Sequence, residues 1–418
     1  MLKNLLHSVN IFGFLWTLCI CMFHIAMPRW LIFGGTYTFV FTWLVEIVWD
    51  KRWQLKPSRE WVHYILLLVF FLWEFWYLPT EGSVYFHHHT EQRYPLLAFG
   101  LIGFFGINDR FSRAIVIHTM MLASVCSVLF LFTKTGWHTI LFSPERVFAY
   151  QQTRELFINT HMMHDFFLNC TLVGIWFLLF HADRKPQLWQ KIVYPLVVLV
   201  IFGGLLCSDG RSGFFMGLAI IGMMTVIELY RYSKPLAIGI CVVSMVLLVV
   251  LSAMHPRISQ QTIEYDLRYS YWKAAVELIK EKPIVGYGMN NAQEEFDKVN
   301  MKYASESAKY YWTVLHQHYI DSHNQYLQTM LEYGVIGLVL LLAIYLSPLW
   351  ICWGSERWWL AFFFTLLSMG QSIFDMFLTG QFNTFYGLMF LMTMRMTKDY
   401  VFPIRQSGSA SSLEECTD

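Results

Sequence analysis

The sequence predicts an all-α polytopic membrane protein of about 12 transmembrane helices with one large, partly helical loop. Three observations favour this class. The 418-residue chain is 56% hydrophobic and 18% aromatic, with a mean hydropathy of +0.43, too apolar for ordinary soluble domains. Apolar runs of about 20 residues, the length that crosses a bilayer, recur along the chain. A single long polar insertion, residues 255–322, interrupts them.

The apolar runs are predicted to be helices, because backbone groups in lipid need partners within their own segment and the runs are too long for barrel strands. The predicted spans are 11–27, 30–49, 61–79, 94–107, 114–133, 165–181, 192–207, 213–230, 235–254, 324–350, 358–374 and 383–396. The first run lacks a small-residue cleavage site, so we expect a retained helix rather than a signal peptide.

These spans divide the chain into four parts. They are helices 1–9 in residues 1–254, the large loop 255–322, helices 10–12 in 323–398, and a short tail 399–418.

Lysine and arginine predict the orientation. With the N-terminus inside, the inner segments hold sixteen of the 30 basic residues and the short outer segments hold six. The long loop is exempt, because long loops translocate regardless of charge. Both termini are therefore expected in the cytoplasm and the loop outside, where ATP and nucleotide sugars are absent. An outer site must draw its energy from its substrate or from an ion gradient.

Arg211 stands in SDGRSG, a tight link before an apolar run. An arginine at membrane depth is costly unless it faces protein or a water-filled cavity. Its charge would add to the positive end of the following helix, which favours anions. Gly210, Ser212 and Gly213 would leave backbone open to a ligand. The alternative is an interfacial arginine paired with Asp209.

Arg268 lies in a predicted amphipathic helix of the loop that Pro283 ends. At helical spacing it shares a face with Trp272 and two further apolar residues. A planar guanidinium on that face suits phosphate oxygens. An amphipathic helix lying on the membrane surface explains the pattern equally well.

His323 lies in DSHNQYLQ, where Ser322 or Asp321 can cap the following helix and Gln325 completes a capping box. We therefore expect His323 in the first helical turn, where the helix dipole favours a neutral ring that accepts a proton. The negative charge of Asp321 would instead favour the protonated ring. A histidine with only a capping role is the alternative.

Other polar residues are weaker candidates. Glu74 is an intramembrane carboxylate that either functions or pairs with a neighbouring helix. His161 and His164 are three apart at the start of a span and are candidates to line a cavity. Histidines in polar loops are more often solvated than metal-bound; these are His87, His88, His89, His316 and His318. No metal site is predicted.

SHNQYLQTMLEYGVIGL, residues 322–338, resembles the His-Asn signature of the O-antigen ligase and polymerase superfamily, bacterial membrane glycosyltransferases. SDGRSGF is similar to that family's arginine motif before a span. R-x-x-x-W-x-x-A followed by PIVGYG at 268–288, and EQRYPLL at 91–97, continue the likeness in the family's order. HDFF at 164–167 departs from it, because Asp165 replaces a proline.

The resemblance implies inverting, metal-independent transfer of a glycan from undecaprenyl diphosphate to a sugar hydroxyl of the lipid A-core, in lipopolysaccharide biosynthesis. The site would face the periplasm at the bacterial inner membrane. His323 would be the general base, with Arg211 and Arg268 as further catalytic residues. Substrate-binding residues would be Arg93, His164, Asn324, Trp272 and Ser212. No cofactor and no nucleic acid partner is implied.

Three other functions compete. An O-antigen polymerase uses the same donor with a second lipid-linked repeat as acceptor; the order of the arginines and the histidine favours the ligase. A protein O-oligosaccharyltransferase is less favoured, because the chain ends soon after its last span. A transporter or flippase would show a repeat with broken helices, and the single lopsided loop argues against two equivalent halves.

Overall fold

The computed structural model describes residues 2–22, 29–52, 58–76, 84–107, 110–142, 161–183, 185–208, 211–254, 267–304, 309 and 321–396. Throughout this part of the chain the regular structure is α-helical. In chain order the helices are α1 (Leu2–Met22), α2 (Arg29–Trp49), α3 (Trp61–Trp76), α4 (Val84–Phe105), α5 (Arg113–Thr135), α6 (Trp137–Phe142), α7 (His161–Phe180), α8 (Leu188–Cys207), α9 (Arg211–Tyr232), α10 (Lys234–Met254), α11 (Leu267–Glu281), α12 (Met289–Tyr303), α13 (Gln325–Ile351), α14 (Arg357–Phe374) and α15 (Gly380–Arg395).

Every predicted span overlaps one of these helices. Six described helices are long and apolar enough to cross a membrane, namely α1, α5, α7, α8, α9 and α13. Shorter apolar stretches lie in α3 and α10. The polytopic α-helical class is thereby confirmed, and the number of about 12 spans stays a prediction.

Helix α7 is the centre of the bundle around the site. Every residue from Met162 to Leu178 is buried, because α5, α8, α9 and α14 pack around the helix. At its C-terminal end, His181 contacts Glu228 of α9 (Nε2 to Oε1, 3.1 Å) and Glu356 before α14 (Nδ1 to Oε2, 3.2 Å). One histidine thus connects three helices whose opposite ends surround the candidate site.

Two helices of the long loop, α11 and α12, pack on each other and on α13. The amphipathic helix predicted around Arg268 is confirmed as α11, which ends at Glu281, two residues before Pro283. Its buried face carries Tyr271, Ala274 and Leu278, which form a small core with α12 and α13. The loop is therefore docked on the bundle by its own apolar face.

Helix α13 is broken at Gly334, whose φ of 63° and ψ of −162° are not helical. The segment 283–288 docks along this break through three backbone hydrogen bonds. They run from Val335 N to Pro283 O (2.8 Å), from Tyr287 N to Leu331 O (2.9 Å) and from Gly288 N to Glu332 O (2.8 Å). The loop is therefore held at the break as well as by its apolar face.

Candidate functional site

The segment before α13 carries His323. Asn324 is the N-cap of α13, and its side-chain oxygen accepts hydrogen bonds from Tyr326 N and Leu327 N, each at 3.0 Å. The prediction that Ser322 or Asp321 caps the helix, with His323 in its first turn, was wrong. Three neighbouring residues with good capping side chains precede the helix, and tertiary contacts select the third. His323 therefore projects from a loop ahead of the helix.

The backbone of His323 has a φ of 47°, in the left-handed region that a residue with a side chain seldom adopts. Its N–H donates to Asp321 Oδ1 at 2.7 Å. Ser322 donates through Oγ to Asn324 O (2.9 Å) and through its N–H to Gln328 Oε1 (3.1 Å). These bonds hold His323 in a backbone conformation that costs of order 1 kcal/mol or more. Residues held in such conformations cluster at functional sites.

Two carboxylates face one nitrogen of the His323 ring. Nδ1 lies 3.2 Å from Asp321 Oδ1 and 3.8 Å from Asp375 Oδ1, and the side chain is 39% exposed. Carboxylates on this side favour a neutral ring with its proton on Nδ1, which makes Nε2 the nitrogen that can accept another proton.

The pKa of His323 is set by competing influences. Partial burial lowers it, as does the charge of Arg268, but the interactions with Asp375 and Asp321 outweigh them and the net pKa is raised. Burial has the opposite effect on the carboxyl group of Asp321, whose pKa it raises. A histidine with a raised pKa is a stronger base once it is deprotonated.

Asp375 was missed by the sequence analysis. It is the C-cap of α14, 52 positions after His323, and its own Oδ1 also accepts from Met376 N at 2.9 Å. The available signal was a lone carboxylate at the end of an apolar run, in QSIFDMF. Only the packing of α14 beside α13 shows that it belongs with His323.

Helix α11 lies over the His323 segment. Trp272 Nε1 donates to Ser322 O at 3.1 Å, and the ring of Tyr271 stands 5.8 Å from that of His323, centroid to centroid. Arg268, on the same helix, places its guanidinium carbon 6.0 Å from the ring centroid of Phe374. The structure thus brings three residues of the predicted site together, His323, Arg268 and Trp272.

The first turn of α9 packs against α7 through Gly213. A Cβ at Gly213 would overlap Asp165, and Gly213 O accepts from Asn169 Nδ2 at 2.9 Å. Asp165 Oδ2 also accepts from Ser208 Oγ at 2.9 Å. The expectation that Gly213 leaves backbone open to a ligand was wrong, because α7 covers it. Asp165 therefore contacts Ser208 at the start of the SDGRSG link and Gly213 at its end.

Helix α9 begins at Arg211, whose side chain lies outside the described residues, as does Gly210. Ser212 follows, half-buried in the first turn. Gly213 contacts Asp165, and Met162, one turn earlier on α7, lies 4.0 Å through its sulfur from Arg268 Nη2. The N-terminus of α9 and Arg268 are therefore at the same end of α7.

Arg93 is buried and held by protein groups. It forms an ion pair with Glu74, donates to Glu332 Oε2 at 2.9 Å and donates to Tyr333 OH at 3.2 Å. Gln328 Nε2 in turn donates to Glu332 Oε1 at 2.7 Å. Because Gln328 also accepts from the backbone ahead of His323, Arg93 is connected to the site from within the bundle. Substrate contact by Arg93 stays a prediction.

The remaining candidates have the following places. His164 is buried in α7, with Nε2 3.0 Å from Ser127 Oγ on α5, and a substrate contact for it stays a prediction. His161 is half-buried at the start of α7. Glu74 pairs with Arg93 of the neighbouring helix α4, which is the structural one of the two roles considered for it. Outside the described residues lie the side chains of His87, His88 and His89, and all of His316 and His318.

Residues 196–342 match the family model described as O-antigen ligase. This segment contains most of the predicted site, including Arg211, Arg268 and His323. Two curated relatives carry the name "Putative polysaccharide ligase". The one from Rickettsia conorii is 30% identical over 162 residues, which covers 36% of this chain and 36% of the relative. The one from Rickettsia felis is 31% identical over 162 residues, 36% of this chain and 37% of the relative.

The matched part is thus little more than a third of each relative's length. Residues 196–342, the part that matches the family model, contain the motifs at Arg211, Arg268 and His323 on which the resemblance rests. Residues 196–342 and these two relatives therefore confirm the resemblance to the O-antigen ligase superfamily, and they agree with its ligase branch.

Proposed function

We propose that this protein is an O-antigen ligase-like glycosyltransferase. It moves a glycan from undecaprenyl diphosphate to a sugar hydroxyl of the lipid A-core, at the periplasmic face of a bacterial inner membrane. The observation that carries the proposal is His323, held in a left-handed backbone conformation with Nδ1 facing Asp321 and Asp375. Arg268 is close enough for its charge to lower the pKa of His323. The family match over this segment supports the same chemistry.

In this mechanism Nε2 of His323 takes the proton of the acceptor hydroxyl. The resulting oxygen nucleophile attacks the anomeric carbon, and the bond between that carbon and the diphosphate oxygen breaks with its electron pair on the diphosphate. Attack opposite the leaving group inverts the anomeric centre. Asp321 and Asp375, whose carboxylates lie beside Nδ1, would stabilise the imidazolium that forms, the part a carboxylate plays beside a catalytic histidine.

The leaving group gains negative charge as the bond breaks. Arg268 and Arg211, with the N-terminus of α9, would stabilise that charge more in the transition state than in the ground state. Two guanidiniums can supply the neutralising charge that a divalent ion supplies elsewhere, so we expect no metal requirement. Loss of transfer in EDTA, with recovery on adding Mg²⁺ or Mn²⁺, would contradict this part of the proposal.

The experiment that tests the function uses the purified chain in liposomes with a radiolabelled glycan on undecaprenyl diphosphate. Label that moves to lipid A-core added as acceptor supports the ligase. If the labelled glycan grows longer on the donor lipid when no core acceptor is present, the protein is a polymerase. If the intact lipid-linked glycan changes leaflet and no glycosidic bond is made, the protein is a flippase.

A further inference from the structure

The exposed side of α13 begins at its break. No residue from Gln325 to Gly334 is exposed, because the loop and the neighbouring helices cover that part. Beyond the break, the exposed residues recur on one helical face and all are apolar: Val335, Val339, Leu346 and Trp350. Since α13 is long and apolar enough to span a membrane, we expect this stripe to contact acyl chains.

The turn at Pro283, Ile284 and Val285 continues that stripe. Val335 N donates to Pro283 O at 2.8 Å, and Ile284 packs against Gly334, where a Cβ would overlap its carbonyl group. Ile284 is 62% exposed and Val285 45% exposed, next to Val335 at 42%. The apolar surface therefore runs without interruption from the membrane-facing helix onto the loop.

Charged residues precede this apolar tip. Lys280, Glu281 and Lys282 are exposed, and the Lys282 ammonium lies 4.2 Å from the ring centroid of Tyr287. Lysines that flank a short apolar tip are typical of a segment at the bilayer interface, where the ammonium reaches lipid phosphates and the apolar side chains enter the hydrocarbon.

We propose that the turn 283–285 inserts into the outer leaflet of the bilayer and anchors the loop there. From Val335 to Ile351 a helix rises about 24 Å, which places Val335 just within a hydrocarbon core of about 30 Å. The part of α13 before the break, residues 325–333, would then lie towards the headgroup region. The anchor thus fixes the height of the His323 segment above the acyl chains. This inference does not depend on the reaction proposed above.

The test is nitroxide accessibility in the full chain, reconstituted in phosphatidylethanolamine and phosphatidylglycerol vesicles. Ile284→Cys carries the label, in a background where Cys19, Cys126, Cys241 and Cys416 are alanine and the four buried cysteines are kept. Val339→Cys is the lipid-exposed control. Val276→Cys, 40% exposed on α11, is the control on the surface of the loop.

The expected result is frequent collision of the Ile284 label with O₂ and rare collision with a water-soluble nickel chelate, as at Val339. Frequent collision with the nickel chelate, as expected at Val276, would overturn the proposal. Rare collision with both reagents would also overturn it, because a protein surface would then cover the turn. If the Ile284 variant does not fold, Val285→Cys is judged by the same outcomes.

Discussion

His323 owes its proposed reactivity to one neighbour in sequence and to two residues that are distant in the chain. Asp321 fixes its backbone, Asp375 approaches from the end of α14, and Trp272 holds the preceding carbonyl. Each contact restrains the ring or the loop that carries it. A histidine so restrained loses little freedom when it meets a substrate hydroxyl, which is the advantage of a preorganised base.

Replacing Asp375 by Asn tests whether it acts on this base. The carboxylate contributes to the raised pKa of His323, and activity requires the unprotonated ring. Asp375→Asn should therefore shift the acidic limb of the rate profile to lower pH. It should also lower the plateau rate by roughly 10-fold or more, because the imidazolium loses a stabilising charge. The measurement is the initial transfer rate from pH 5 to 9.

Asp183→Asn is the matched control for that substitution, because Asp183 lies in the exposed turn after α7. It should leave both the limb and the plateau unchanged. If the acidic limb of the pH–rate profile is unshifted in Asp375→Asn, Asp375 does not act on the base.

At this scale the sequence predicted the residue types but not their partners. His323 can be recognised in the sequence by its motif, and Arg268 of α11 by its helical spacing. Asp375 does not, because its relation to His323 arises only when α14 packs beside α13. Asn324 as N-cap was also beyond the sequence, because Asp321, Ser322 and Asn324 all have suitable side chains.

The central element is the broken helix α13. Gly334 and Gly286 both have positive φ, of 63° and 69°, and each faces the backbone of the other's segment. A Cβ on Gly286 would lie 2.6 Å from Glu332 O. Gly334 of LEYGVIGL and Gly286 of PIVGYG therefore allow two backbones to meet at the break.

Gly334→Ala should undo this docking. The added Cβ meets the carbonyl of Ile284, and alanine is strained at this φ, so we expect a loss of roughly 1–3 kcal/mol of stability. Transfer activity should fall with it, since the loop that carries Arg268 would detach. Thermal unfolding in detergent and protease sensitivity of the loop are the measurements.

Gly222→Ala provides the control, because Gly222 lies in α9 with open space around it and an ordinary φ. It should be neutral or slightly stabilising. Equal melting temperatures for the two variants would mean that the break does not depend on glycine.

Helix positions were largely predictable, because an apolar run of about 20 residues in lipid has few alternatives to a helix. The amphipathic spacing of α11 and its end before Pro283 were predictable as well. The break in α13 was not, because a lone glycine within an apolar run is common in membrane helices that continue. The backbone bonds to 283–288 determine the break.

At the scale of the whole molecule, a buried charge network joins the halves of the chain. Arg93 of α4 meets Glu74 of α3 and Glu332 of α13, and all three side chains are buried. Gln328 carries the connection to the backbone of Ser322. The N-terminal helices therefore support the site through this network as well as by enclosing the bundle.

Arg93→Ala should leave two buried carboxylates without their shared cation. Removing one partner of a buried ion pair costs about 3–5 kcal/mol, so a clear drop in melting temperature is expected. Arg231→Ala removes an exposed arginine paired with Glu228 and should change stability by less than about 1 kcal/mol. Similar melting temperatures would show that the network is dispensable.

The arrangement of the molecule was only partly predictable. The sequence predicted that the chemistry lies in the long loop that carries Arg268, together with Arg211. The packing of α7 at the centre, with Asp165 holding the start of α9, follows from tertiary contacts that no periodicity records. The Arg93 network likewise joins residues about 240 positions apart.

The most direct test of the account is glycan transfer by His323→Ala with and without added imidazole. We predict that the transfer rate falls by at least about 100-fold, the usual contribution of a general base. Imidazole should restore part of the rate, while donor binding and the melting temperature stay close to those of the native chain. Transfer at the native rate without imidazole would contradict the assignment of His323 as the base.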